Sequence, residues 1–489
     1  MEDTPAAATA ETIASTTATI AKNTAFLTIG ELGTRVFSFV LVVAIARYLG
    51  DVGLGAFAFA FAFADLLLNF VDLGVPMYIL REMAKNRPST KTYTSNVLGL
   101  RLLMAPAILL IGVAAAFLIN ASTSQTRLVI ILATIGMVLN FLTEPLRMVF
   151  LAHEKAAYYS SLIILERLSF TLGGLALLVT GHGLVPVIGA YIASEAISLL
   201  TTAFVVREKF ARFTVRFNYA AISSMLKGSF SFWIANFLRM VYQRADTLML
   251  SAIQGFAVTG WYGAAYKITE ALRFIPLVVI SAVFPPLSRL HAKSKENVKA
   301  VYERTLYYVL IAALPMAIGL TLIAKRVILF FYGASFTPSI IALQLLVWAE
   351  ALFFIHYLMG FMLSAIDKQR LFTITTALYV GANLLLNIIL IPKYSYVGAG
   401  TAAVTTQLMA VALLSYFTAK NGYGVNFMRI AYKPLISAGA MAAALIWLKS
   451  AHLLIAAPAA AAVYLAVLAL VRGIGREELQ LIRKAIARN

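Results

Sequence analysis

The sequence places ionisable side chains at helical spacing inside runs that are otherwise apolar, and these are the residues that could do chemistry. In GWYGAAYKITEALRF (260–274), Lys267, Glu270 and Arg273 step three residues at a time around an arc of roughly 120°, a broad single face of a helix. Upstream, Arg239, Tyr242 and Asp246 follow a three-then-four spacing on one stripe, while Arg244 points elsewhere. Glu31 and Arg35 lie four apart and share a face, as do Asp65 and Asp72, seven apart. A charged side chain at the centre of a bilayer costs about 2.5 to 3.5 kcal/mol, so it faces a cavity or a partner. Arg35, Arg239, Arg244, Lys267 and Arg273 have the chemistry to hold an anion, above all a diphosphate, because Arg forms paired hydrogen bonds to phosphate oxygens and Lys offers a point charge. Glu31, Asp65, Asp72, Asp246 and Glu270 would balance those charges or carry coupling ions.

Simple neutralisation is the competing reading, with Glu31 on Arg35, Asp246 on Arg239, and Glu270 on Lys267 or Arg273. In the seventh and eighth helices of this reading, five bases (Lys227, Arg239, Arg244, Lys267, Arg273) meet two acids (Asp246, Glu270), so neutralisation within them is incomplete and a cationic central cavity is expected. Elsewhere the structural reading is stronger. Arg47 snorkels to the outer surface, and Glu144 with Arg147 and Glu166 with Arg167 read as structural pairs. Glu350, His356 and Glu195 suit either a proton or cation path or a hydrogen-bonded helix contact.

The elements that must position these residues are transmembrane helices. Hydrophobic residues make up 61% of the 489, the mean hydropathy is +0.86, and 12% are charged, against about 25% charged in an ordinary soluble domain. Apolar runs of about 20 residues, enough to cross some 30 Å of hydrocarbon, recur along the chain. The fold class is an all-α integral membrane protein with fourteen transmembrane helices, the eighth centred near residue 270. The net charge of +19 sits mostly in short loops such as REMAKNRPSTK (81–91), REKFARFTVR (207–216) and RLHAKSKENVK (289–299), which places them and both termini in the cytoplasm. Those basic loops are read as topology signals and anchors near anionic lipid headgroups, not as a nucleic-acid surface.

An internal repeat organises the spans. YLGDVGLGAFAFAFAFADLL (48–67) resembles IQGFAVTGWYGAAYKITEAL (253–272) at a constant offset, pairing Gly50 with Gly255, Gly55 with Gly260, Phe57 with Tyr262, Phe61 with Tyr266 and Asp65 with Glu270. Each copy is read as the end of one helix, a short glycine-bearing outer loop and the start of the next. The expected division is a polar leader (1–22), disordered or loosely helical, a six-helix bundle (23–206), a basic cytoplasmic linker (207–222), a second six-helix bundle (223–420), and two appended helices with a basic tail (421–489). Two related membrane halves suit alternating access around a site between them.

Several activities are excluded. There is no cysteine, so disulfides, thiolate metal sites and cysteine nucleophiles are absent. No P-loop, H-E-x-x-H or G-x-S-x-G occurs, and the five histidines are scattered. No catalytic residue, metal site or enzyme activity is expected, and no outer loop is long enough for glycan-transfer chemistry. Asn120-Ala121-Ser122 fits a glycosylation sequon at the outer end of the third helix and reads as coincidence.

With these residues in view, RADTLMLSAIQGFAVTGWYGAAYKITEALRFIPLVVISAVFPPLSRL (244–290) resembles the helix 7 and 8 signature of polysaccharide-biosynthesis, or lipid-linked oligosaccharide, flippases, with Asp246, Gly255, Gly260, Tyr262, Ala265, Tyr266 and Pro285 as the matching features. ARYLGDVGLGAFAFA (46–60), FYGASFTPSIIALQLLVWAE (331–350) and NIILIPKYSYVGAGTAAVTT (387–406) are similar to other segments of that family. The family belongs to the superfamily that also holds multidrug extruders and lipid II flippases, in which charged residues of helices 1, 2 and 8 matter. The resemblance implies two six-helix bundles around a cationic cavity, alternating between inward-open and outward-open states and driven by Na⁺, H⁺ or the membrane potential, with no bound cofactor. Its implied substrate is a polyprenyl-(di)phosphate-linked oligosaccharide moved from the cytoplasmic to the outer leaflet of the inner membrane. Implied partners are that lipid-linked glycan, membrane lipids, and glycan-assembly glycosyltransferases or a polymerase; nucleic acid is not among them. The alternatives are a multidrug and toxic-compound extruder coupled to a Na⁺ or H⁺ gradient, for which the surplus of bases is unsuited, and a lipid II flippase.

Overall fold

A computed structural model of the protein describes residues 5–118, 124–291 and 294–473. Every regular element among them is helical. Among the described residues, ten helical stretches are long and apolar enough to cross a membrane. Two of these, residues 22–72 and 369–423, run to 51 and 55 residues, about 75 to 80 Å of helix against roughly 30 Å of hydrocarbon, so each has the length of two crossings. The sequon at 120–122, the basic tail from 474, Ala292 and Lys293 of the 289–299 loop, and residues 1–4 of the leader lie outside the described residues. From Pro5 onward the leader's backbone is helical.

The chain divides into two compact units, residues 1–260 and 261–489. In the first, α1 (Pro5–Asp72), α2 (Val75–Lys85), α3 (Thr90–Leu118), α4 (Ser124–Ala152), α5 (Ala156–Val179), α6 (Leu184–Lys209) and α7 (Tyr219–Gln254) follow in order. Helix α4 packs on α3 and α6, α5 packs on α1 and α6, and α7 lies along α1 and α2. Lipid is as apolar as leucine, so association here depends on close packing. Small residues supply it. A methyl on Gly136 of α4 would collide with the Tyr191 ring of α6, and one on Gly228 of α7 with Tyr78 of α2.

Two expected features differ from the sequence reading. The glycine-bearing outer loop between the first two spans is a one-residue bend inside α1, where Gly50 takes φ 70°, ψ −168°, a backbone conformation essentially restricted to glycine. Gly255, its partner in the repeat, takes φ 84°, ψ −179° between α7 and the next helix. The repeat thus carries the same bend twice. Beyond the bends the copies meet reciprocally: a methyl on Gly55 would strike the carbonyl of Phe256, and one on Gly260 would strike the carbonyl of Asp51. Within the 207–222 segment, residues 207–209 end α6 and 219–222 begin α7. Residues 211–218 lie outside regular helix and run along α3, with Arg216 N–H donating to the Ser95 carbonyl (3.2 Å), Thr214 N–H to Ser95 Oγ (3.1 Å) and Asn218 N–H to Asn96 Oδ1 (2.9 Å). Asn218 then caps α7 by accepting from Ala221 N–H (3.2 Å).

The second unit holds most of α8 (Phe256–Leu272), then α9 (Phe274–His291), α10 (Lys295–Phe331), α11 (Ser339–Ala365), α12 (Gln369–Thr418), α13 (Phe427–Trp447) and α14 (Leu453–Leu470). Helix α11 packs on α9, α10 and α12, and α13 on α10 and α14. The core between α10 and α11 is built on buried Tyr302, Leu306, Val309, Phe354, Leu358 and Met362. Helix α12 contains Pro392 and is bent at Ser395 (φ 55°), since proline removes a helical N–H and crowds the preceding turn. The eighth expected helix is not continuous but breaks at Arg273.

Candidate functional site

In the first unit, Arg35 lies on the first half of α1 and pairs with Glu31 at 2.7 Å, one helical turn away, with both side chains partly exposed. Asp65 lies on the second half of α1 and does not balance its own helix. It accepts from Arg244 of α7 at 2.5 Å, each side chain being about a quarter exposed (23% and 27%). Asp72 ends α1 and binds Arg101 of α3, a residue buried to 2% exposure whose guanidinium also reaches Glu144 of α4 (3.4 Å) and the Phe141 carbonyl and lies over the Phe141 ring. Arg147 of α4 pairs with Glu166 of α5 and donates to Ser198 Oγ of α6 at 2.6 Å. Glu195 of α6, fully buried, accepts from Asn140 Nδ2 at 3.1 Å. Asp246 is buried on α7.

Arg239, exposed on α7, makes no ion pair among the described residues. Its guanidinium meets Asn236 Oδ1 at 3.4 Å. The expected pair of Asp246 with Arg239 does not form, and two others are replaced: Glu144 partners Arg101 and not Arg147, and Glu166 is taken chiefly by Arg147, with Arg167 more distant at 3.5 Å. For Arg101 and Arg147 the physical reason is burial, since a buried guanidinium satisfies its donors across helices wherever an acceptor packs against it, whereas Arg239 is exposed.

In the second unit, Lys267 pairs with Glu270 at 3.0 Å on α8. Arg273 pairs with Glu350 of α11, its Nε donating to both carboxylate oxygens at 3.1 and 2.9 Å and its Nη1 to the Tyr266 hydroxyl at 3.0 Å. Deeper in the same unit, His356, Gln407, Asn383, Asn387 and Thr406 form a buried polar seam on α11 and α12, with Asn387 Nδ2 donating to Asn383 Oδ1 at 3.1 Å.

Four of the five bases singled out from the sequence thus carry a carboxylate partner, and for Arg244 and Arg273 that acid, Asp65 or Glu350, comes from outside the seventh and eighth helices. The surplus inferred by counting within two helices is smaller than it looked, and Arg239 is its clearest remainder. Arg101 was missed altogether. A lone arginine in the run VLGLRLLMAP was signal enough, since an isolated charge in a span marks a partnered site.

Comparison with known proteins places this geometry in context. The model of the polysaccharide biosynthesis protein family matches residues 20–291, more than half of the chain. The chain belongs to that family. Among curated relatives of this family member, a probable low-salt glycan biosynthesis flippase, Agl15, of Haloferax volcanii is 24% identical over 277 residues, 54% of this chain and 56% of that protein. A probable flippase, AglR, of the same organism is 26% identical over 218 residues, covering 44% of this chain and 45% of that protein. The chain spans about half the length of the curated relatives it matches. In fold it is similar to the lipid II flippase MurJ in an inward closed conformation, with a TM-score of 0.72 at 16% identity over 91% of this chain and 98% of that one. It is also similar to an inward-facing multidrug resistance transporter of the MATE family, with a TM-score of 0.66 at 15% identity over 79% and 95% of the two chains. The protein is a multi-pass, all-helical membrane protein with a transporter fold.

Proposed function

We propose that the protein is a flippase that moves a polyprenyl-(di)phosphate-linked oligosaccharide from the cytoplasmic to the outer leaflet of the inner membrane by alternating access. Fourteen crossings, both termini in the cytoplasm, and two mobile six-helix bundles (23–206 and 223–420) complete the reading, with the remaining two helices as an appendage. The observation that carries it is the gathering of arginine and lysine onto α1, α7, α8 and the joint after α8, in a chain of the polysaccharide biosynthesis family. Phosphate is the substrate group those side chains recognise, the glycan would occupy hydrated space, and the prenyl chain would stay in lipid. Asp65 balances Arg244 in the first unit, and Glu270 and Glu350 balance Lys267 and Arg273 in the second, which lowers the cost of charge within the membrane. The named relatives support the flippase reading over a drug extruder, which would favour acidic or apolar lining for cationic drugs. Glycosyltransferases that build the glycan would be the natural partners.

The test is a vesicle assay with a fluorescent polyprenyl-diphosphate saccharide and a leaflet-selective quencher. Wild type should move the lipid, and Lys267→Ala and Arg273→Ala should each abolish movement while remaining monodisperse; normal transport by both would end the phosphate reading.

A further inference from the structure

Arg273 occupies the joint between α8 and α9. Pro276 has no backbone N–H, so the carbonyl of Leu272, four residues earlier, loses its helical donor; the helix stops at Leu272 and restarts at Phe274. At this joint the guanidinium is held from several directions. Its Nε–H is shared between the two oxygens of Glu350, its Nη1 donates to the Tyr266 hydroxyl, and its plane lies 5.2 and 5.4 Å from the Tyr266 and Phe353 ring centres. Glu350 is 3% exposed and Arg273 18%.

The manner of the pairing is informative. A guanidinium carries five N–H donors, and the contacts to Glu350 and Tyr266 use Nε–H and one on Nη1. Among the described residues nothing accepts from Nη2. Where Arg meets a carboxylate in fork-on-fork geometry, two parallel N–H bonds are consumed; here Glu350 takes the Nε side only and leaves the Nη2 side uncommitted.

We propose that Arg273 receives a phosphate group on its Nη2 side, and that Glu350 is the positioning residue that fixes the guanidinium while limiting its affinity for the anion. The inference rests on the flippase reading. Two oxygens of a phosphate match the remaining donors of the guanidinium, and the two flanking rings prevent it from turning to follow the anion. Glu350 stays at the Nε edge, next to Nη2 but farther from the phosphate than the guanidinium itself is, so attraction exceeds repulsion but is reduced by it. A carrier needs that moderation, because an anion bound too tightly in the membrane is not released.

The experiment titrates geranylgeranyl diphosphate onto the purified full-length chain in detergent micelles by calorimetry. Wild type should bind, Arg273→Ala should lose at least about tenfold in affinity, and Glu350→Gln, which keeps the side-chain shape but removes the opposing charge, should bind roughly five- to tenfold more tightly. In vesicles the same Glu350→Gln protein should translocate more slowly, since release becomes limiting. Unchanged or weaker binding by a monodisperse Glu350→Gln protein overturns the role of Glu350 while leaving the flippase reading intact, provided that Arg273→Ala weakens binding. Absence of binding by wild type overturns both. Should Glu350→Gln not stay monodisperse, Tyr266→Leu carries the test, because it keeps the ion pair but removes one flanking ring and its hydroxyl acceptor: a threefold or greater loss of affinity supports the positioning frame, and unchanged affinity overturns it.

Discussion

Glu166 and Arg147 offer the sharpest test of how this protein handles charge within its helices. Glu166 is 1% exposed and Arg147 8%, and the arginine's second acceptor is Ser198 Oγ at 2.6 Å. Replacing Glu166 with Ala leaves a guanidinium among three packed helices with a single hydroxyl as acceptor. Breaking such a pair costs about 3 to 5 kcal/mol, because the remaining charge is buried without compensation. Arg167 does not offset the loss, since it carries the same sign and, at 35% exposure, can turn to water. Replacing both partners with apolar residues, as in Arg147→Met with Glu166→Leu, removes the desolvation cost along with the attraction and should come within about 1 kcal/mol of wild type. The double-mutant cycle of Arg147→Met, Glu166→Leu and the two together should therefore show strong coupling, with the double variant more stable than Glu166→Leu alone. Unfolding in mixed dodecylmaltoside and SDS micelles, followed by tryptophan fluorescence, gives the values. A Glu166→Ala variant within about 1 kcal/mol of wild type would refute the reasoning, because the charge would then have found water or another acceptor.

Two further outcomes follow from the same structure. Exchanging the charges of Asp65 and Arg244 (Asp65→Arg with Arg244→Asp) should restore expression and thermal stability lost in Asp65→Arg alone, which sets two arginines against each other at a half-buried contact; detergent-solubilised melting temperatures decide it, and no rescue would show that the 2.5 Å pair does not hold α7 to α1. Gly260→Ala places a methyl on the Asp51 carbonyl and should cost about 1 to 3 kcal/mol by overpacking, whereas Gly439→Ala, whose added methyl meets nothing within 4 Å, should be neutral; equal melting temperatures for the two would contradict the close approach.

The helical membrane fold was legible because hydropathy and length settle it almost residue by residue: a run that must satisfy its own backbone in lipid can only be a helix. The position of the bends was legible from Gly50 and Gly255, but their form was not, because a glycine-rich segment reads equally as a loop or as a one-residue change of direction. The break at Arg273 was hinted at by Pro276, whose effect on the preceding turn depends on whether neighbouring helices tolerate the opening. Of the expected pairs, Glu31 with Arg35 and Glu270 with Lys267 form along one helix, whereas Asp246 with Arg239 and Glu144 with Arg147 do not. Spacing along a sequence reports which side chains share a face, whereas the partners of Arg101, Arg147, Arg244 and Arg273 come from other helices, 29, 19, 179 and 77 residues away, and no local pattern encodes such distances.

The matched bends at Gly50 and Gly255 also bear on how the chain came to be asymmetric. Two segments that share an unusual backbone and a reciprocal glycine contact behave as copies of one mechanical part, and a carboxylate occupies the same place in each, Asp65 in one and Glu270 in the other. The bases do not follow that symmetry: Lys267 and Arg273 stand where the first copy has Ala62 and Leu68. Ancestry by duplication would supply a symmetric scaffold, and polarity would then arise by adding positive charge to one copy only. Under the proposed function, a direction of movement would be written in a few side chains, and reversing or abolishing it would not require a different fold.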